Sequence, residues 1–208
     1  MGRGIATQPR TGGATSMAAT SPSAGTIRYV IDTRASQFTV QAFASGLIAA
    51  VAHSPKIAIR EWSGEVTMPS GIAGNGTLRV QIRAASLEVL DELRDTDRRE
   101  IHRVMNQEVL ETSRYPEIVY ESTEIKAEKL REDLYRVNIV GKLALHGVSN
   151  SHTFVAQAAL GVDTARAYGD FTLRQSDYDI RIASIAGGTL KLQDELKFSF
   201  YVVARRQD

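Results

Sequence analysis

The chain has no cysteine among its 208 residues. Disulfide frameworks, thiolate zinc sites, iron–sulfur ligation and thiol catalysis are therefore excluded. Proline is scarce, at five residues, and no Pro/Gly/Ser linker interrupts residues 27–208. No apolar run approaches the roughly 18 residues of a membrane span, so an integral membrane protein is not expected. Neither sign of charge dominates, since 25 Lys+Arg stand against 24 Asp+Glu for a net +1. That balance gives no broad field for steering nucleic acid, and no nucleic-acid partner is expected. What is present is ordinary globular composition, with 43% hydrophobic and 24% charged residues.

The composition changes near residue 26. Ala, Gly, Ser and Thr fill 18 of the first 26 positions, with no aromatic and no acidic residue among them. Such a segment buries too little apolar surface to offset chain entropy, so residues 1–26 read as a disordered tail. A signal peptide needs a continuous apolar stretch of roughly 7–15 residues behind positive charge. Arg3 and Arg10 have none behind them, and Met17 is a second candidate start. A cytoplasmic protein is expected. Residues 27–208 carry all fourteen aromatic residues and read as one domain. Removing Arg3 and Arg10 from the +1 leaves that domain at −1.

Period-two alternation dominates the domain. Phe38, Val40 and Ala42 alternate with Gln37, Thr39 and Gln41; Leu78, Val80, Ile82 and Ala84 alternate with Arg79, Gln81 and Arg83. Similar runs contain Ile118 and Tyr120, Val137 and Ile139, Leu143 and Leu145, Phe171 and Leu173, and Phe198, Phe200 and Val202. This pattern puts one face of an antiparallel sheet against a core and the other in water. Turn signals separate the runs at Asn75-Gly76, Leu130–Leu134, His146–Ser151 and Gly187-Gly188. About eight strands with short connections predict a meander closed as a barrel. Residues 97–112 break the rule, because Ile101, Val104, Met105 and Val109 share one helical face. Asp97 and Glu100 resemble a capping box, and Pro116 bars continuation. The helix is expected to plug or flank the barrel rather than act as a mobile lid.

Several segments, in order, resemble the YceI-like family of lipocalin-fold, lipid-binding proteins. Tyr29-Val30-Ile31-Asp32 followed by Ser36-Gln37-Phe38-Thr39-Val40 resembles its opening "Y-x-I-D … S-x-F-x-V". Tyr115-Pro116-Glu117-Ile118-Val119-Tyr120-Glu121-Ser122 resembles "YP-x-I-x-F-x-S". Gly141-Lys142-Leu143-Ala144-Leu145-His146-Gly147-Val148 resembles "G-x-L-T-I-H-G-V". Arg174 to Ile180 resembles "R-x-D-F-G-I", with one extra residue and Asp179 at the glycine. The match covers roughly residues 28–205. The chain departs at Arg34-Ala35, where the family often has His, and in the unusually apolar stretch from Gly46 to Pro55. The resemblance implies an all-β fold, an extended antiparallel eight-stranded lipocalin-like barrel with one inserted α-helix. It also implies an apolar cavity for an isoprenoid or quinone-like amphiphile, and it suggests a homodimer.

Phe38, Val40, Leu78, Val80, Ile82, Tyr120, Phe198 and Phe200 share the apolar phase and are the candidate ligand-lining residues. Ala42, Ala84 and Ala144 are expected to supply small inward positions. No cofactor and no metal are expected. The four histidines, His53, His102, His146 and His152, show no HExxH and no close pair at helical spacing. His102 reads as the polar side of the helix, and His146 and His152 as flanking a turn. There is no GxSxG, Ser54 precedes Pro55, and Gly71–Gly76 joins strands rather than a strand to a helix. A non-catalytic lipid carrier is the leading reading. The alternatives are an isomerase or hydrolase using His53 or His146 as base, and a structural or stress-related barrel filled by side chains.

Overall fold

The computed structural model describes residues 26–45, 54–69, 76–182, 184–185 and 190–207. The alternating runs form twelve strand segments there: β1 (Thr26–Ile31), β2 (Gln37–Ser45), β3 (Lys56–Ile59), β4 (Trp62–Pro69), β5 (Thr77–Arg83), β6 (Leu87–Val89), β7 (Glu117–Arg131), β8 (Leu134–Leu145), β9 (Val148–Leu160), β10 (Thr164–Arg174), β11 (Ser184–Ile185) and β12 (Leu190–Gln207). β1, β4, β5, β7, β8, β9, β10 and β12 pair in that order, and β12 pairs back with β1. The result is a closed antiparallel barrel of eight strands. Closure removes the free edges that would otherwise invite pairing with another chain.

Three staves of the barrel are broken rather than continuous. β1 and β2 run along the same edge of β12, and their other edges carry β4 and β3. β6 extends β5 in the same way, after a 3-10 turn at Ala84–Ser86. The first break is where the opening Asp and Ser of the sequence motif act. Asp32 Oδ1 accepts the backbone N–H groups of Arg34 and Ala35, and Asp32 Oδ2 accepts from Arg205 Nε at 2.9 Å. Ser36 Oγ donates to Asp32 O at 2.6 Å and accepts from Val203 N at 2.9 Å. The backbone groups freed by the break thereby find partners, as buried polar groups must.

Several turns and the helix differ from expectation. β8 continues to Leu145 and β9 begins at Val148, so the reversal is the two-residue turn His146-Gly147. Both residues have positive φ, 53° and 78°, the geometry that matches the twist of flanking strands. The expected turn from His146 to Ser151 is thus too long, and His152 belongs to β9 instead. The helix α1 (Asp95–Val104) begins two residues early and runs on into a π-helical turn, Met105–Val109. The expected capping box is absent. Arg94 is the N-cap and makes no side-chain cap bond, the Asp97 carboxylate accepts from Arg94 at 2.8 Å, and Glu100 pairs with Arg103. The helix also ends before Pro116 can act, with Glu111 in the left-handed conformation at φ 44°. Asp179, standing where the family motif has glycine, is left-handed too, at φ 54°. The Asn75 and Gly187-Gly188 turn positions, and residues 1–25 of the expected 1–26 tail, lie outside the described residues, while Thr26 belongs to β1 and not to the tail.

Candidate ligand cavity

The inward faces of the staves do not fill the barrel. They enclose a cavity of about 790 Å³, inside the ~300–1,000 Å³ range of ligand pockets. Phe38, Val40, Leu78, Val80, Ile82, Tyr120, Phe198 and Phe200 all line it. The period-two phase carries them there, while Arg79 and Arg83 stand on the outer face in ion pairs with Glu121 and Glu61. The helix contributes Ile101, Val104, Met105 and Val109 to the lining, so it flanks the cavity along its apolar stripe.

Of the small inward positions expected from the sequence, Ala42 lines the cavity, and Ala156, Ala158, Ala165 and Ala167, which are not among those expected positions, line it too. Ala84 is buried away from it, and Ala144 is exposed, because Leu143 and Leu145 take the inward phase of β8. The lining also carries an aromatic belt, of which the sequence pattern assigns Phe38 and Phe198 but not Phe154. Phe171 and Phe198 stack at 4.8 Å and 3°, Phe154 lies 5.3 Å from Phe171, and Phe38 meets Trp62 edge-on at 5.7 Å. Phe154 was hard to read because β9 carries apolar Val155 on its outer face, 47% exposed, which blurs the alternation.

Tyr120 supplies one of the few polar atoms in the cavity wall. Burial pushes its phenol up to about 12, so it stays protonated and donates to His152 O at 3.2 Å. Gly141 makes room for it. A Cβ there would lie 2.6 Å from the phenol oxygen and 2.5 Å from Glu121 O. His152 itself lines the cavity from β9, edge-on to Phe171 at 5.0 Å. Burial lowers its pKa, and Nε2 has no hydrogen-bond partner. The charged residues at the cavity boundary are Asp91, Glu100 and Arg166.

The other histidines are placed differently. His146, 8% exposed, is not a cavity residue; its Nδ1 lies 3.2 Å from Tyr178 O and its ring packs 4.5 Å from Tyr115. His102 sits on α1. His53 lies outside the described residues. Among the described residues, no three His, Asp or Glu side chains converge as a metal site. None of the described helices is long and apolar enough to cross a membrane.

Barrel and cavity together define a lipocalin-like barrel. The chain belongs to the YceI-like domain family, whose model matches residues 29–204. Solved structures share the fold at low identity. Burkholderia cenocepacia BcnA is 17% identical, with a TM-score of 0.62 over 83% of this chain and 98% of that one. A polyisoprenoid binding domain from Saccharophagus degradans is 15% identical, with a TM-score of 0.62 over 86% of this chain and 98% of that one. The Campylobacter jejuni YceI protein is 17% identical, with a TM-score of 0.51 over 73% and 85%. No curated protein sequence matches the chain.

Proposed function

We propose that the protein is a non-catalytic carrier of an isoprenoid or quinone-like amphiphile held in the barrel. The observation that carries this reading is the continuous apolar cavity of about 790 Å³. A side-chain-filled structural barrel would have no such space. At ~30 Å³ per non-hydrogen atom, the share of one liquid water molecule, the cavity takes roughly 25 such atoms. Each buried CH₂ gains ~0.8 kcal/mol, so ten gain ~8 kcal/mol gross against an association cost of at least ~4 kcal/mol. Micromolar affinity then needs no charged head-group contact. The description of the Saccharophagus degradans domain as polyisoprenoid binding fits the same ligand class.

The position of His146 also favours carriage over catalysis. A general base must reach the proton it abstracts, and His146 does not line the cavity: its Nδ1 faces Tyr178 O at 3.2 Å and its Nε2 lies 3.5 Å from Glu111 Oε1. Native mass spectrometry of protein purified from its own host is the test. A co-purifying lipid that is lost on delipidation and regained on mixing is expected. A barrel that is empty as purified and takes up no amphiphile would overturn the reading.

A further inference from the structure

Gln175 is the one buried polar side chain among the described residues, 4% exposed. β10 ends at Arg174, and Gln175 opens the 3-10 turn Gln175–Tyr178 at the end of the barrel where β2 finishes and β12 begins. There β12 bulges. Leu192 stands opposite Ala44 and Leu196 opposite Ala42, so Gln193, Asp194 and Glu195 stand against the single residue Phe43. A bulge frees backbone groups from the ladder. The turn takes them up: Gln175 Nε2 donates to Gln193 O at 3.0 Å, and Asp194 accepts from Ser176 N and Oγ at 2.8 and 2.6 Å. A carbonyl oxygen can only accept, so the amide nitrogen must face Gln193 O and Oε1 lies on the other side of the amide.

That second atom is unused. Gln175 Oε1 has no hydrogen-bond partner among the described residues. Asn106 Oδ1, His146 Nε2 and His152 Nε2 are also unpartnered, but those atoms are sealed from water and Gln175 Oε1 is not. The space beside Gln175 is the barrel cavity, which it lines together with Leu173, Leu192 and Leu196. An outer cleft of about 510 Å³, lined by His152, Arg174, Asp177 and Glu195 among others, does not include it. A buried acceptor without a partner is costly, and a donor brought to it recovers that cost. The charged side chains at this end of the cavity boundary are both carboxylates: Asp91, just past β6, and Glu100 of α1, which Arg98 ties to Val89 O and Asp91 O. Carboxylates there repel an anionic head group.

We infer that this end of the cavity holds the polar end of the ligand: an uncharged head group that donates a hydrogen bond, a hydroxyl in the simplest case, pairs with Gln175 Oε1 while its apolar chain lies along the barrel. This rests on the carrier reading and adds to it the ligand's orientation and the residue that selects its head group.

The test is displacement of the neutral dye N-phenyl-1-naphthylamine by farnesol, by its methyl ether, which cannot donate, and by farnesyl phosphate. The full chain is used, as the parent and as Gln175→Met. The ether leaves water more readily than the alcohol, so without a waiting acceptor it would bind at least as tightly. In the parent, farnesol is instead expected to displace dye at about tenfold lower concentration than the ether, with the phosphate weakest. Gln175→Met should remove the alcohol's advantage and leave the ether within about twofold of its parent value. An ether that matches the alcohol in the parent, an alcohol preference that survives Gln175→Met, or tightest binding of the phosphate each overturns the inference while the carrier reading stands. If none of the three displaces dye, the carrier reading falls and the inference with it. Should Gln175→Met fail to fold, ¹⁵N spectra of the glutamine side-chain amides in the parent decide. Farnesol should move one amide signal that the ether leaves in place; the same shifts with both ligands overturn the inference.

Discussion

Val80 shows how much one side chain can decide. It lines the cavity, while its neighbour Arg79 is on the outer face in an ion pair with Glu121. Val80→Trp is expected to occupy cavity space, abolish uptake of a long-chain lipid or hydrophobic dye, and keep a cooperative thermal transition. Arg79→Trp should leave uptake intact and lose only the ~0–1 kcal/mol of an exposed ion pair. Dye binding and thermal melts of both variants check this, and normal binding by Val80→Trp would count against the inward phase. His152 carries a second expectation. Its folded pKa is depressed by burial among Phe154 and Phe171, with Arg174, Asp177 and Glu195 lining the cleft beside it. Below the ordinary histidine value of ~6.5, the unfolded chain takes up a proton that the folded one resists. Stability should therefore fall on acidification from pH 7 towards 5, and His152→Leu should remove that part of the fall. Asp32 and Asp194, held low by hydrogen bonds from Arg205 and Ser176, add their loss only at more acid pH. Melting temperatures of parent and variant across that range would reveal the difference.

Among the elements, β7 and β8 show a strand pair shaped by one large residue. Tyr120 lies over Gly141, and a bulge follows between Ser122 and Glu124, where Thr123 Oγ1 donates to Val140 O. Gly141→Ala sets a methyl group against Glu121 O, a backbone atom with no rotamer to change. A loss of ~1–3 kcal/mol, the cost of overpacking, is expected in chemical denaturation. The segment Gln175–Tyr178 ends on left-handed Asp179. Asp179→Gly should cost nothing there and Asp179→Val about 1–2 kcal/mol, because only the latter sets a branched Cβ against the backbone. Equal stability of the two variants would show that the left-handed geometry carries no strain.

For the whole molecule, cavity volume sets a limit on the ligand. A space for roughly 25 non-hydrogen atoms predicts affinity that rises with prenyl chain length and then levels off once the cavity is full. Titration of a homologous series of prenyl alcohols measures this, and affinity that keeps rising without a plateau would show that the chain binds outside the barrel. The ion pairs on the outer face, Arg28–Glu65, Arg60–Glu88 and Arg83–Glu61, leave at least two-fifths of every partner side chain exposed and contribute little to this picture.

The period-two alternation by itself determined the barrel and its inward phase, because successive strand side chains must point to opposite faces and only one face can leave water. All eight residues chosen on that phase line the cavity. The opening Tyr-x-Ile-Asp and Ser were legible as a motif, and the fold shows them bonding the first broken stave. Local chemistry was less decisive: the Asp97–Glu100 cap lost to ion pairing with Arg94 and Arg103, and Ala144 took the outer phase, opposite to Leu143 and Leu145, whatever its size. Only the tertiary structure decided what His152 does. In sequence it is one polar residue between a turn and an apolar run. Its place on the cavity wall comes from the register of β9 against β8, which sets it opposite Gly141, and from its packing against Phe171 of β10, a residue distant in the chain.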